Sequence, residues 1–220
     1  MPTPTSPVRG QHRLVRAAAV FFLGLALLIV PLARATTVVP PSFSELVGKA
    51  DAIHRGTVTA VEARRVATPD GQGTFIKTFV TVVIERTLKG AKTSEVTLEF
   101  LGGTVGEDSM LVQGMPTFSI GDREFVFVQK NGVQFCPLVA MMHGRYRVLR
   151  DEATAKEFVA RDNRTPLTDT VEVGLPLSAL PPSVRAATAA DSVARALTPA
   201  AFEAGITAEL DRLEQRANPN

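Results

Sequence analysis

A chain of 220 residues has room for one domain of ordinary size plus a tail. Its 24 basic against 22 acidic residues look weakly basic, but Arg9, Arg13, Arg16 and Arg34 lie in the first 35 residues, where there is no acid. From Thr36 onward the balance is 20 bases to 22 acids, a formal charge of −2, so the basic excess expected of a nucleic-acid binder is missing.

The first 35 residues read as an export signal. A basic opening is followed by the continuous apolar stretch Ala17–Val30. Pro31 then breaks any helix, and Ala33-Arg34-Ala35 offers the small–x–small pattern of a signal-peptidase site, with the cut between Ala35 and Thr36. The alternative is an uncleaved anchor through residues 17–33, a length at the lower limit for crossing a hydrocarbon core of about 30 Å. The expected location is therefore secreted or periplasmic, or membrane-tethered if the signal stays on.

From Thr36 to Leu149 the texture is that of short strands. Phe43–Ala50 reads as a short helical turn with Phe43, Leu46 and Val47 on one face. Thr57–Val61 reads as a strand, Pro69–Gly73 as a turn, and Phe75–Leu88 as a strand apolar on both faces at its centre. Glu95–Phe100 alternates, with Val96, Leu98 and Phe100 inward. Leu101–Met110 is a glycine-rich connector whose glycines permit a sharp or bulged crossing. Glu124–Val128 is a further strand, and Asn131-Gly132 predicts a type I′ hairpin to a strand over 133–139. The last strand is Arg145–Leu149, with Tyr146 and Val148 inward and its arginines at the surface. Five or six such strands predict a mainly β fold, an OB-like antiparallel barrel over residues 36–150, with a short N-terminal helix and a C-terminal helical tail.

Residues 151–197, with Pro166, Pro176, Pro181 and Pro182, read as linker-like with little regular structure. Thr198 as N-cap, Pro199 at the first helical position, and Phe202, Ile206, Leu210 and Leu213 at helical spacing predict an amphipathic helix over 198–216 that docks its apolar stripe on its own domain, the blander case, or on a partner.

No motif names a reaction. Cys136 is the only cysteine, which rules out an intramolecular disulfide, and Phe135 and Pro137-Leu-Val139 around it favour burial. His54 and His143 are isolated, no metal-ligand spacing occurs, and Glu107-Asp108 lacks the repeated oxygen spacing of a calcium loop. The glycines at 102, 103 and 106 lack the lysine, hydroxyl and helix of a phosphate loop. Catalytic, cofactor and metal residues are accordingly expected to be absent. The rival expectation is a hydrolase with a site near the glycine-rich loop and His143.

The order and spacing of Ala50–Val58, Leu88-Lys89-Gly90, Val96–Phe100 and Gly121–Val126 give the block Phe43–Val128 a resemblance to the tissue inhibitors of metalloproteinases and related netrin-like domains. The resemblance covers about half of the chain after the signal and implies an OB-type barrel whose first strands are these. The chain is also similar to small exported bacterial proteins of unknown function. The shared run is Gly102–Gly106, Gly114–Phe118, Gly121-Asp122 and Phe125–Phe127, ending with Gly144–Val148. That resemblance implies a non-catalytic binding or accessory domain with a secreted protease or other envelope protein as partner. The expected contact surface is the loop holding Gly102, Gly103, Thr104, Gly106 and Met115. One departure matters: those inhibitors chelate the protease zinc through a disulfide-bonded N-terminal cysteine, and a chain cut before Thr36 has none there, so inhibition in that manner is excluded.

Overall fold

The computed structural model describes residues 38–177 and 191–218. The expected signal at 1–35, its cut between Ala35 and Thr36, and the alternative anchor at 17–33 lie outside them. No helix among the described residues is long and apolar enough to cross a membrane.

The chain begins with helix α1 (Phe43–Lys49), then runs through strands β1 (Ala52–Ala67), β2 (Thr74–Lys89), β3 (Glu95–Leu101), β4 (Gly103–Val105), β5 (Asp108–Met110) and β6 (Arg123–Val128). A 3-10 turn (Met141–Gly144) precedes β7 (Arg145–Arg150) and β8 (Glu157–Arg161). A second 3-10 turn (Thr170–Gly174) and helix α2 (Pro199–Ala217) complete it. The fold is mainly β: a six-stranded, wholly antiparallel sheet in the order β3-β2-β1-β6-β7-β8, with β4 and β5 as a separate hairpin.

Local chemistry fixes the ends of the helices. At α1 the Ser42 hydroxyl accepts the Glu45 N–H, and the Glu45 carboxylate accepts the Ser42 N–H at 3.0 Å, a reciprocal cap. At α2 the Thr198 hydroxyl accepts the Ala201 N–H, and Pro199 takes the first helical position.

The sheet curls because β1 is bent. Its register against β2 shifts at three places, between Ile53 and His54, Arg55 and Gly56, and Val58 and Ala60. At Gly56 the strands press so close that a β-carbon would lie 2.2 Å from the Val83 carbonyl oxygen, so only glycine fits the bend.

The curl produces two cores with β6 between them. On one side Phe125 and Phe127 join Ile53, Tyr146 and Val159 of the sheet, Leu46 of α1, and Phe202 and Ile206 of α2. On the other, Val126 and Val128 face Val58, Val80, Val82, Leu98 and Phe100, with Cys136 and Leu138 closing the space. Phe202 is the hub of the first core, its ring within 5.1–6.2 Å of those of Phe43, Phe125, Phe127 and Tyr146. The C-terminal helix therefore docks on its own domain, as its apolar spacing predicts.

Both edges of the sheet are covered. At β3 the Asn131 side chain accepts the Glu99 N–H and donates to the Thr97 carbonyl, and the Phe135 carbonyl accepts the Leu101 N–H. At β8 the segment 165–167 and Leu197 take the outward groups. The stretch 131–139 thus runs from the end of β6 to the open edge of β3 and walls off the second core like the side of a barrel.

Three expectations are corrected. Asn131-Gly132 forms no two-residue hairpin, and no strand covers 133–139. Lys130 and Gly132 take the positive φ, at 47° and 79°, and only a single bridge, Val128 to Leu138, pairs with β6. The polar side chain of Asn131 is used on β3 instead of in a turn. Residues 151–197 are not merely a linker. They supply β8, the second 3-10 turn, and the fully buried Leu167 and Val173, because a strand added beside β7 extends the apolar face that α2 covers. Residues 178–190 of that segment lie outside the described residues. Finally, Arg145 is not at the surface: it is 1 % exposed, while its neighbours Tyr146 and Val148 are buried as expected.

Candidate functional site

The mouth of the second core is open. Where β2 and β3 run past the end of the sheet's curl, the chain crosses from Leu101 through the β4–β5 hairpin and returns as the loop 111–122. Between sheet and loop lies a cavity of about 380 Å³. Its floor is Val61, Thr78, Val80 and Phe100, its rim Gly102, Gly103, Met110, Leu111 and Val112, and its far wall Met115, Pro116, Thr117 and Phe118. The lining is mainly apolar, with Thr78 and Thr117 among it, and Leu111 at the rim is 91 % exposed.

The double glycine makes this crossing possible. Gly102 and Gly103 have φ of 99° and 133°, and a β-carbon on Gly103 would sit 2.4 Å from the Thr78 hydroxyl. The Thr78 hydroxyl in turn donates to the Gly102 carbonyl at 2.7 Å. Of the loop expected to make contact, the structure brings Gly102, Gly103 and Met115 onto the cavity. Thr104 and Gly106 belong to the outer part of the hairpin, where the Thr104 and Ser109 hydroxyls meet at 3.1 Å.

Behind the far wall is a buried charge cluster that sequence alternation missed. The Arg145 guanidinium donates through Nε and Nη2 to the two oxygens of Glu124 at 2.9 and 2.7 Å, a two-pronged pair in which neither side chain is exposed. Its Nη1 donates to the Thr117 carbonyl and to Asp162 at 3.0 Å, and Nη2 reaches Asp122 at 3.3 Å. Its guanidinium carbon lies over the Phe118 ring, 4.1 Å from the ring centre, and that ring packs in turn against Phe100 at 5.2 Å. Burial pushes the Glu124 carboxyl up from its ordinary value, and the Arg145 fork opposes it.

A second cleft, of about 280 Å³ along β6 and β7, is lined by charged groups that neutralise one another: Arg123 pairs with Glu85 and Glu157, and Arg147 with Asp122.

Among the described residues no side-chain hydrogen bond joins the residues weighed for chemistry to one another. His54 is buried in β1, its Nδ1 3.1 Å from the Thr87 hydroxyl on the neighbouring strand. His143 is buried in the turn before β7, and burial holds both imidazoles below their ordinary value. Among the described residues no carboxylate hydrogen-bonds either ring, as an orienting partner would. Cys136 is 2 % exposed, and burial pushes its thiol up to about 11, so it is protonated at neutral pH and a poor nucleophile. Asp108 is engaged by Arg65. No group of three or more potential metal ligands is gathered among the described residues.

Phe100, Leu111, Val112, Phe118 and Arg145 were not foreseen as site residues. For Leu111, Val112 and Phe118 the signal available was a cluster of apolar residues in a stretch that glycines mark as loop, where apolar side chains have no strand-pairing reason to be.

Compared with known proteins, the chain matches no family model, no curated protein and no solved structure.

Proposed function

We propose that this protein is a non-catalytic binding domain that takes an extended segment of a partner protein at the cavity between β3 and the loop 111–122. The observation that carries this reading is an apolar cavity of about 380 Å³ that opens to solvent at the mouth of a core. Its size suits one or two large apolar side chains.

The neighbouring backbone supports a peptide as the guest. Both edges of the six-stranded sheet are covered by side-chain or main-chain bonds, whereas β5 pairs with β4 alone among the described residues and stands at the cavity rim beside Leu111. A strand laid on β5 would satisfy its outward groups and point alternate side chains into the cavity. An exported partner, a secreted protease among them, is the class that the sequence resemblance favours. The hydrolase alternative gains no support, since His143 is buried and has neither a carboxylate nor a nucleophile bonded to it among the described residues.

The test is a photoreactive phenylalanine analogue at Leu111 in the full chain, exposed to the medium or envelope extract of the producing cell. A discrete adduct is expected, and it should vanish when Val61→Trp fills the cavity floor. No adduct, or one indifferent to Val61→Trp, overturns the reading.

A further inference from the structure

Arg145 contributes no atom to the cavity lining, yet it touches two residues of the far wall. Its Nη1 donates to the Thr117 carbonyl, and its guanidinium carbon backs the Phe118 ring, 4.1 Å from the ring centre. The loop 114–122 has no strand pairing of its own. Met115 and Phe118 pack on the second core, and the loop is fixed from behind by Arg145, by Arg147 on Asp122, by the 2.9 Å bond from the Ser119 N–H to Asp122, and by the bonds of Asp122 and Gly121 to Val58 in β1.

Arg145 is itself rigidly held. Five donor contacts to Glu124, Asp122, Asp162 and Thr117 leave its fork no alternative geometry. Such a fully surrounded guanidinium is costly to bury and is seldom the most stabilising choice for a core. A hydrophobic residue would fill the space, but it could not place a carbonyl and a ring at fixed positions together. A lysine would reach a carboxylate as a point charge and would lack the planar face that supports Phe118.

We propose that Arg145 is the positioning residue of the binding cavity: anchored by Glu124, it holds Thr117 and Phe118 where they shape the far wall and so sets what the cavity admits. The inference rests on the reading of the cavity as the binding surface. It predicts that Arg145→Lys, which keeps a positive charge for Glu124 but loses the fork, weakens binding by more than its loss of stability accounts for, since Thr117 and Phe118 lose their common support.

The full chain is titrated with N-phenyl-1-naphthylamine, a neutral apolar fluorophore, at a temperature where every variant compared is folded. Wild type should show saturable 1:1 enhancement, and Val61→Trp should abolish it; failure of either result sinks the cavity reading itself. With that reading intact, Arg145→Lys should weaken binding roughly ten-fold, the effect of about one well-made charged hydrogen bond. Val173→Ala, a core variant on the far side of β6, should melt lower than wild type and bind the probe as wild type does. That separates positioning from stability. Asp122→Asn, at a partly exposed position, supplies a second variant should Arg145→Lys not fold, and it should weaken binding in the same direction. Wild-type affinity in Arg145→Lys, or in Asp122→Asn where Arg145→Lys does not fold, overturns the proposal while leaving the cavity reading in place.

Discussion

At the scale of single residues, Arg145 shows where strand periodicity and side-chain chemistry part. Alternation along β7 correctly turns Tyr146 and Val148 inward, but the first residue of the strand sits where the sheet passes under the loop 114–122, and there its charge meets Glu124. No pattern local to Arg145–Leu149 announces this, because the partner lies 21 residues away on β6. Truncation by Arg145→Ala leaves a carboxylate buried and unpaired, and the expected loss is about 3–5 kcal/mol in urea unfolding. A loss under about 1 kcal/mol would show that the pair contributes little. Gly103 is the opposite case, legible from the sequence as a glycine needed for a sharp crossing. Gly103→Ala combines a φ of 133° with a 2.4 Å contact to the Thr78 hydroxyl, and about 1–3 kcal/mol of destabilisation is expected in the same assay.

At the scale of elements, strands with a clean two-residue period or a long β-branched run, such as β2 and β3, were legible, and so was α2 from its cap and apolar stripe. The elements missed are those whose partners are distant in sequence. β8 is short and reads as loop until β7 is beside it, and Asn131-Gly132 carries a turn signal that the structure uses otherwise. The β3 edge depends on that use. Asn131→Ala removes the partners of the Glu99 N–H and the Thr97 carbonyl, with an expected cost of about 1–2 kcal/mol and a tendency to associate through the bared edge, read by light scattering against concentration. For α2, Phe202→Ala should cost about 3–5 kcal/mol in a thermal or urea melt, since four aromatic rings lose their common neighbour. The cavity was only half legible: glycines mark a crossing, but what stands behind it depends on how far β1 bends.

At the scale of the whole molecule, pH acts through the buried histidines. Burial lowers the folded-state pKa of both His54 and His143, so between that value and the ordinary imidazole range of about 6.5 the unfolded chain binds more protons. Their contribution to stability is complete above about pH 6.5 and is lost as pH falls through the folded values. Glu124, raised by burial, works with the opposite sign above the ordinary carboxylate range. The difference between wild type and His143→Asn isolates the histidine: the melting temperature of wild type should drop relative to that variant between pH 7 and 5, and parallel curves would refute the assignment. β6 has a larger consequence at this scale. Because Phe125 and Phe127 belong to one core and Val126 and Val128 to the other, the strand is a party wall, and neither side can melt while the other stands. A guest in the cavity is therefore thermodynamically linked to a helix it never touches. At a hundred-fold excess over its Kd it would protect α2, on the far side of the sheet, by about 2.7 kcal/mol.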